Sequence, residues 1–576
     1  TSFINNSVSA NGGAIYATGS SIISCNSSIF IGNKASKNGA AAALFDGASI
    51  YVVDSKMKDG SASNGGAISS RDGTSLVIRS SHLRNNEAKG GSGGALYAFG
   101  NVWIKLYASI LSNNVAAEGG GIAIDSSSTT NARITGYQTT SNISNNKATY
   151  GGGLRILNSL KPSSPIIDGK LSIAANEAEM EGGAIYGNGD FVLHGKEIEV
   201  RQNKATNGGG IYSCNNMSQA GNIVIQDLSH FADNSATQNG GAIYVAGSSL
   251  SKLEANITNC RFLSNKAERN GGTCSIHGGA NVNFNEVEIE NSIASGSSNS
   301  DGGGAVFIKD SNSSLVAKSS IFKDSTANFG GAIKIVEGSI FTEKLRIQKC
   351  TATLDGGAIH SSKISTISLV DSVFHKNVAV KNNGGSLYID RSKVFITGSN
   401  MTECKSGKSG GAIYLNARST IKLENSNFRS NIASGGGGAI ASQNGNVELD
   451  IKYCNFQTNN ANDNGGSIFA QTSKVAIENT FFSGNEAIKK GGASYFGDSV
   501  VTIADGIFSE NRVTDPSSGS GADIYTTNSN FTMMQSQLFR SMSEQTGGST
   551  SIVGSSSGTL RDVVFQESVA KGHGGS

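Results

Sequence analysis

The sequence predicts an all-β fold, a right-handed parallel β-helix (solenoid) of about 20 coils of 26 to 32 residues, with three short strands per coil. Two recurring elements carry this prediction: a glycine pair, and an aromatic-asparagine element about nine residues before each pair. The chain has 75 glycines but only 3 prolines among 576 residues, unlike flexible glycine-rich sequences. Repeats of this length indicate supersecondary units that bury a core only when they are stacked.

The first element is Gly-Gly-Ala-Ile, often followed by tyrosine, as in residues 12–16, 182–186 and 410–414. Two adjacent glycines suit a corner that needs positive φ or a close backbone approach. A short alternating stretch follows, for example residues 447–451, and alternation of apolar and polar residues indicates a strand with one buried face. Each repeat therefore has a post-glycine strand, an alternating strand and a strand that carries phenylalanine.

The second element is Phe-x-x-Asn, and cysteine replaces its asparagine at Cys350 and Cys404. We expect the phenylalanines to stack along the axis and the asparagines to hydrogen-bond between coils or to the local backbone, because buried polar groups need partners. The predicted structural ladder consists of Phe3, Asn6, Phe30, Asn33, Phe231, Asn234, Phe262, Asn265, Phe374, Asn377, Phe428, Asn431, Phe456, Asn459, Phe482, Asn485, Phe508 and Asn511.

Residues 1–576 are predicted to form a single continuous β-solenoid that is cut in mid-repeat at both ends. The right-handed sense is expected because parallel strand crossovers take it almost always. Longer coils occur at about 119–303, and their extra residues fall in turns such as 126–131 and 160–165. Stacked long turns on one side would build a groove or a docking shelf.

The composition excludes several classes of function. With 46 basic and 44 acidic residues the net charge is +2, which gives no reason to expect nucleic acid as a partner. The chain has no run of 18 apolar residues, so no direct membrane span is expected. The seven histidines are scattered and calcium loops are absent, so no metal and no cofactor is expected. Most of the seven cysteines are expected to be small buried residues, and a Cys260–Cys274 disulfide is the alternative.

No catalytic residue is predicted, and the chain is expected not to be an enzyme. Parallel β-helices include polysaccharide lyases and hydrolases, which place carboxylates together on adjacent coils. Here acidic residues do not recur at one outward offset from the glycine pairs. Asp301 and Asp355 each stand singly before a glycine pair, which is typical of a turn.

Eight Asn-x-Ser/Thr sites occur, about as many as chance provides in a chain of this composition. They would carry glycans only in a eukaryotic secretory source. The sites are Asn5, Asn26, Asn142, Asn216, Asn256, Asn312, Asn400 and Asn530.

The alternation of Gly-Gly-Ala-Ile with Phe-x-x-Asn resembles the polymorphic outer-membrane protein repeats of chlamydial autotransporters. The resemblance runs through the chain from Phe3 to Phe565. It implies a passenger-like rod, located outside the cell or at its surface.

The leading expectation is an extracellular structural or adhesive rod, either a filament-forming subunit or a surface passenger domain. The alternatives are a polysaccharide lyase- or hydrolase-like β-helix and a glycan- or receptor-binding module. Two carboxylates on an exposed face of the long coils would favour the enzyme, and exposed aromatic rows would favour the binding module. Expected partners are further solenoid in the full-length chain or other copies in end-to-end association, together with a glycan or a surface receptor.

Overall fold

The computed structural model describes residues 1–126, 133–158, 166–215, 221–227, 229–248 and 252–573. These residues form two compact units, Thr1–Ile293 and Ala294–Ser576. The described residues contain strands and turns but no helix, and hence no helix long and apolar enough to cross a membrane. Each unit is a stack of parallel strands, which confirms the predicted parallel β-solenoid. Twenty post-glycine strands, one per coil, occur in the described parts of the two units.

One coil of the second unit shows the plan. It runs through strands Ile413–Asn416, Thr420–Glu424, Asn427–Arg429 and Ile432–Ala433. The first strand belongs to a post-glycine sheet, called sheet 3, the middle two to sheet 1, and the last to sheet 2. The first unit repeats this order, for example in Leu96–Phe99, Trp103–Tyr107, Ile110–Ser112 and Val115–Glu118. The three-sheet architecture is thus as predicted.

The distribution of strands among the sheets differs from the expectation in one respect. The alternating strand and the phenylalanine strand lie in the same sheet, and a two-residue strand after the asparagine position forms sheet 2. Asn425, between the first pair, has φ 50°, and Ser430, after the phenylalanine strand, has φ 54°. These single left-handed residues redirect the chain. A two-residue strand is too short to show alternation, so the sequence pattern missed it.

The glycine pair combines two backbone requirements. Gly410 has φ 69°, and a Cβ there would lie 2.2 Å from the carbonyl oxygen of Ile413. Gly411 would place a Cβ 2.0 Å from the carbonyl oxygen of Gly438 in the next coil. The first glycine is therefore required by the turn, and the second by the close approach of the following coil.

Three coils of the first unit have unusually long strands in sheet 1, Arg133–Ser144, Ile166–Ala174 and Phe191–Arg201. In the first of these, Tyr137 pairs with Tyr107 and Asn142 pairs with Ile110. The segment from Tyr137 to Asn142 is thus two residues longer than its partner. No sequence pattern singled out this segment. The insertions predicted at 126–131 and 160–165 lie outside the described residues, apart from Ser126.

Buried asparagines form a hydrogen-bonded ladder along the axis. In the second unit, Asn459 Nδ2 donates to the Phe428 carbonyl oxygen and to Asn485 Oδ1, both at 3.0 Å. Its Oδ1 accepts from the backbone N and Nδ2 of Asn431, at 3.1 and 3.0 Å. Both amide protons and both carbonyl lone pairs are thereby satisfied. In the first unit the same pattern runs through Asn86, Asn114, Asn146, Asn176, Asn203, Asn234 and Asn265.

The ladder is interrupted where the next coil lacks asparagine. At three such places the corner position after the glycine pair, usually alanine, holds a polar residue. This residue hydrogen-bonds to the residue that replaces asparagine in the next coil, and in two of the three coils also to the ladder asparagine. Asn33 is an exception, because the following coil has Gly60 and the corner residue is Ala41. Each of the three places has a ladder asparagine, a polar corner residue and a replacement residue in the next coil. In this order they are Asn265, Thr273 and Ser292; Asn377, Ser386 and Cys404; and Asn511, Asp523 and Ser541.

Asp523 is the ionisable member of this set. Its Oδ1 accepts from Asn511 Nδ2 at 2.8 Å and from Ser541 Oγ at 2.6 Å. The side chain is fully buried, and this burial raises the pKa of Asp523 to about 7, against the effect of the two hydrogen bonds.

Asn459→Ala is expected to lower the free energy of unfolding of the second unit by about 3 kcal/mol, because it leaves buried groups of Asn431 and Asn485 without partners. Asn455→Ala is the matched control. Asn455 lies on the same coil and donates to Asn427 Oδ1, but it is exposed, so the expected loss is below about 0.5 kcal/mol. Urea unfolding followed by circular dichroism measures both; equal losses would contradict the role of the buried ladder.

Asp523→Asn is expected to change the pH dependence of stability. In the unfolded chain the aspartate has a pKa of 3.8, whereas in the folded chain the pKa of Asp523 is about 7. As the pH rises, the unfolded chain therefore loses this proton first. Between these values the folded chain binds more protons, so stability falls as pH rises, by up to about 1.4 kcal/mol per pH unit from this group. The variant should therefore gain stability relative to the parent from pH 4 to 7 in urea titrations, whereas parallel curves would contradict the buried neutral carboxyl.

Candidate binding surface

The repeat motifs point into the solenoid, where they contact one another. Phe428, Phe456, Phe482 and Phe508 stack with ring centroids 4.6–4.9 Å apart, and each is at most 1% exposed. Phe231 stacks on Phe262 at 4.7 Å, and Phe30 on the half-buried Phe3 at 4.6 Å. Phe374 is buried between Ile347 and Met401 of the neighbouring coils. The buried motif residues cannot contact a partner, so a binding partner would contact the outward-facing residues.

The predicted ladder asparagines fall into three groups. Asn234 and Asn265 belong to the ladder of the first unit, and Asn431, Asn459, Asn485 and Asn511 to that of the second. Asn377 receives only the backbone N–H of Cys350, whose thiol occupies the preceding ladder position. Asn6 is exposed and donates to the buried Asn33.

All seven cysteines are free and buried. The disulfide considered between Cys260 and Cys274 is therefore not formed. Cys260 precedes a strand of sheet 1, and its thiol contacts the Thr258 carbonyl oxygen, whereas Cys274 begins a strand of sheet 3. The two residues thus belong to different sheets. Burial raises the pKa of the Cys260 thiol to about 12.

The Asn-x-Ser/Thr sites lie away from the core where the structure describes them. Asn5, Asn26, Asn312 and Asn530 are exposed. Asn142, Asn256 and Asn400 are half-buried on sheet 1. Asn216 lies outside the described residues.

The outer face of sheet 1 in the first unit carries a group of aromatic and cationic side chains. We call it the aromatic–cationic face; its members are Arg79, Trp103, Lys105, Tyr107, Arg133, Thr135 and Tyr137. They come from three consecutive coils and point outward because they alternate with core residues such as Ile104 and Leu106. Trp103 is the only tryptophan of the chain, and it is 53% exposed.

Stacking orders one side of this face. The Tyr107 and Tyr137 rings lie 4.8 Å apart at an interplanar angle of 15°. The guanidinium carbon of Arg79 lies 4.7 Å from the centroid of Tyr107. Such cation–π and ring contacts hold the three side chains in one row and limit their rotamer freedom.

The other side of the face is held by an ion pair. Arg133 lies opposite Trp103 in the next coil, and its Nε donates to Asp168 Oδ2 at 3.1 Å, with Nη2 also in contact. Between the two rows lies a cavity of about 170 Å³, lined by Trp103, Ile104, Lys105, Arg133, Thr135 and Tyr137. Its walls are aromatic, aliphatic and cationic, the mixture that binding sites for small polar ligands combine.

A buried ion cluster marks the start of the long coils. Arg155, only 7% exposed, pairs with Asp125 and lies 3.0 Å from Glu118 Oε2, while the Tyr97 hydroxyl donates to Asp125 Oδ2 at 3.1 Å. Burial raises the pKa of Asp125, and the nearby Arg155 opposes this. Two carboxylates do meet here, but they share one guanidinium, so the geometry is that of a structural charge cluster.

The second unit contains a buried amine that no sequence pattern singled out. Lys334 Nζ donates to the carbonyl oxygens of Asn299 and Asp301, at 2.5 and 2.9 Å, and lies 4.3 Å from the Phe329 ring centroid. Burial lowers the pKa of Lys334 to about 7, while Asp301 and Asp355 oppose this. The two aspartates predicted as turn residues thus also face a buried cation. No group of three or more metal-binding side chains occurs in the described ranges.

Comparison with known proteins agrees with the repeat architecture. The family described as Chlamydia polymorphic membrane protein repeat matches residues 1–18 and 229–246. The probable autotransporter YfaL of Escherichia coli (strain K12) is 29% identical over 282 residues. The chain is therefore similar to polymorphic-membrane-protein repeats and to part of an autotransporter.

The likeness to YfaL covers 48% of this chain and 18% of that protein, so the chain spans less than a fifth of its relative's length. No solved structure gives a significant match.

Proposed function

We propose that this solenoid is the extracellular part of a surface protein and that it adheres to glycans through the aromatic–cationic face. The matched repeats and the autotransporter likeness support a surface passenger domain. A stack of parallel coils suits this role because it displays outward side chains at regular spacing without altering the core.

The observation that carries the adhesive part of the proposal is the exposure of Trp103 beside ordered tyrosines and cations. Large aromatic side chains that stay exposed often mark binding sites, because a partner that covers their apolar surface gains free energy. Tryptophan, tyrosine and arginine also dominate the binding energy of protein interfaces. By contrast, the aromatic residues Tyr414 and Phe469 on the outer side of sheet 3 are only 4% and 7% exposed.

Trp103→Ala is expected to weaken glycan binding by about tenfold or more, because it removes the most exposed aromatic ring of the face. The purified chain would be tested on an array of immobilised glycans. Phe395→Ala is the matched control, since Phe395 is 42% exposed on sheet 1 of the second unit. An array on which no glycan binds the parent chain, or on which both variants bind as the parent does, would contradict the adhesive role.

The surface location is tested separately. Antibodies raised against the purified chain are expected to label intact cells of the source organism, and protease added outside should remove the label. Labelling that requires permeabilised cells would contradict an extracellular passenger. This experiment does not depend on the glycan, so each half of the proposal can fail alone.

A further inference from the structure

The charges of the aromatic–cationic face are unbalanced. It presents Arg79, Lys105 and Arg133, and Asp168 neutralises only the last of these. Lys105 forms no ion pair with any acidic residue in the described ranges, and it lies on the same strand as Trp103, two residues away. Outward side chains two residues apart on a strand are separated by about 7 Å. An aromatic platform and an unpaired ammonium group thus stand side by side.

The cavity next to these groups has the scale of a single sugar ring. Its volume is about 170 Å³, and its lining includes the aromatic rings of Trp103 and Tyr137 and the hydroxyl group of Thr135. Thr135 is 7% exposed, so it lies at the floor. An aromatic ring packs against the apolar C–H face of a pyranose, while hydroxyl and charged groups around it bind the polar edge.

Because the cations outnumber the acids, charge complementarity selects among sugars. A carboxylate on the pyranose ring would pair with Lys105, and a neutral sugar would leave this ammonium without a partner. Arg133, 52% exposed at its side chain, provides a second donor group opposite Trp103 in the neighbouring coil. Its geometry is fixed by Asp168, so no reorganisation is needed when a ligand binds.

We propose that the aromatic–cationic face binds a carboxylate-bearing pyranose of an acidic glycan, with the sugar ring on Trp103 and its carboxylate on Lys105. The proposal rests on the adhesive function above and specifies its ligand. Repeated acidic sugars of a polysaccharide would strengthen attachment through multivalency when many chains face one surface.

The single tryptophan allows a direct test with the intact chain. Methyl β-D-glucuronide and methyl β-D-glucoside differ only in a carboxylate in place of a hydroxymethyl group. The glucuronide is expected to change the fluorescence of Trp103 saturably and to bind at least about fivefold more tightly at low salt. That advantage should fall below about twofold at 1 M salt, where the screening length is about 3 Å.

Lys105→Gln should abolish the preference for the glucuronide over the glucoside. Lys422→Gln is the control, because Lys422 is exposed on sheet 1 of the second unit, opposite the exposed Phe395. It should retain the parent's preference. Circular dichroism melting of both variants checks that the fold is unchanged.

The outcomes separate the two levels of the proposal. Equal affinity for the two glycosides, or an unchanged preference in Lys105→Gln, overturns the acidic-sugar inference, while glycan binding that depends on Trp103 leaves the adhesive function standing. Tighter binding of poly-glutamate than of a glucuronic acid polymer of equal charge also overturns it, since the occupant would then be an acidic peptide. A chain that binds no glycan at all on the array overturns both.

Discussion

The hydrogen-bonded asparagine ladder is the interaction on which the rest of the structure depends. A coil of 26 to 32 residues turns its chain sharply at three corners, and the backbone groups at the turns would otherwise be buried without partners. Where the ladder is continuous, the amide of each asparagine provides two donors and two acceptor sites, which is the number that the preceding and following coils require. The ladder therefore fixes the register of the coils, and the phenylalanine stack and the glycine corners follow from that register.

This division of roles explains how a strongly repetitive chain can carry a specific surface. Inward positions must repeat because each contacts its equivalents in the neighbouring coils. Outward positions have no such constraint, so aromatic and cationic residues can gather on three adjacent coils without disturbing the core. The aromatic–cationic face uses this freedom, and its side chains are ordered by contacts between coils, such as Arg79 on Tyr107 and Arg133 with Asp168. The same stacking that builds the core thus also preorganises the surface.

The sequence was sufficient to predict the parallel solenoid and its three sheets, because the period of the repeat and the alternation of apolar residues encode them directly. It could not reveal the two-residue strands of sheet 2, which are too short to show a pattern. It could not place Lys334 near Asp301 and Asp355 or bring Trp103 next to Arg133, since these residues lie far apart in the sequence and their identities are not repeated. Alignment of the outward offsets for aromatic residues, rather than acidic ones, would have found Tyr107 and Tyr137.

The most direct test of this account is native-state hydrogen exchange at the ladder. The backbone amides of Asn431, Asn459 and Asn485 lie in turns between strands, where amides ordinarily exchange quickly. Because each donates to the Oδ1 of the next ladder asparagine at 3.0–3.1 Å, the account predicts that they are as protected as the strand amides of the core. Exchange of these three amides at the rate of exposed turns, with the strands still protected, would contradict the central role of the ladder.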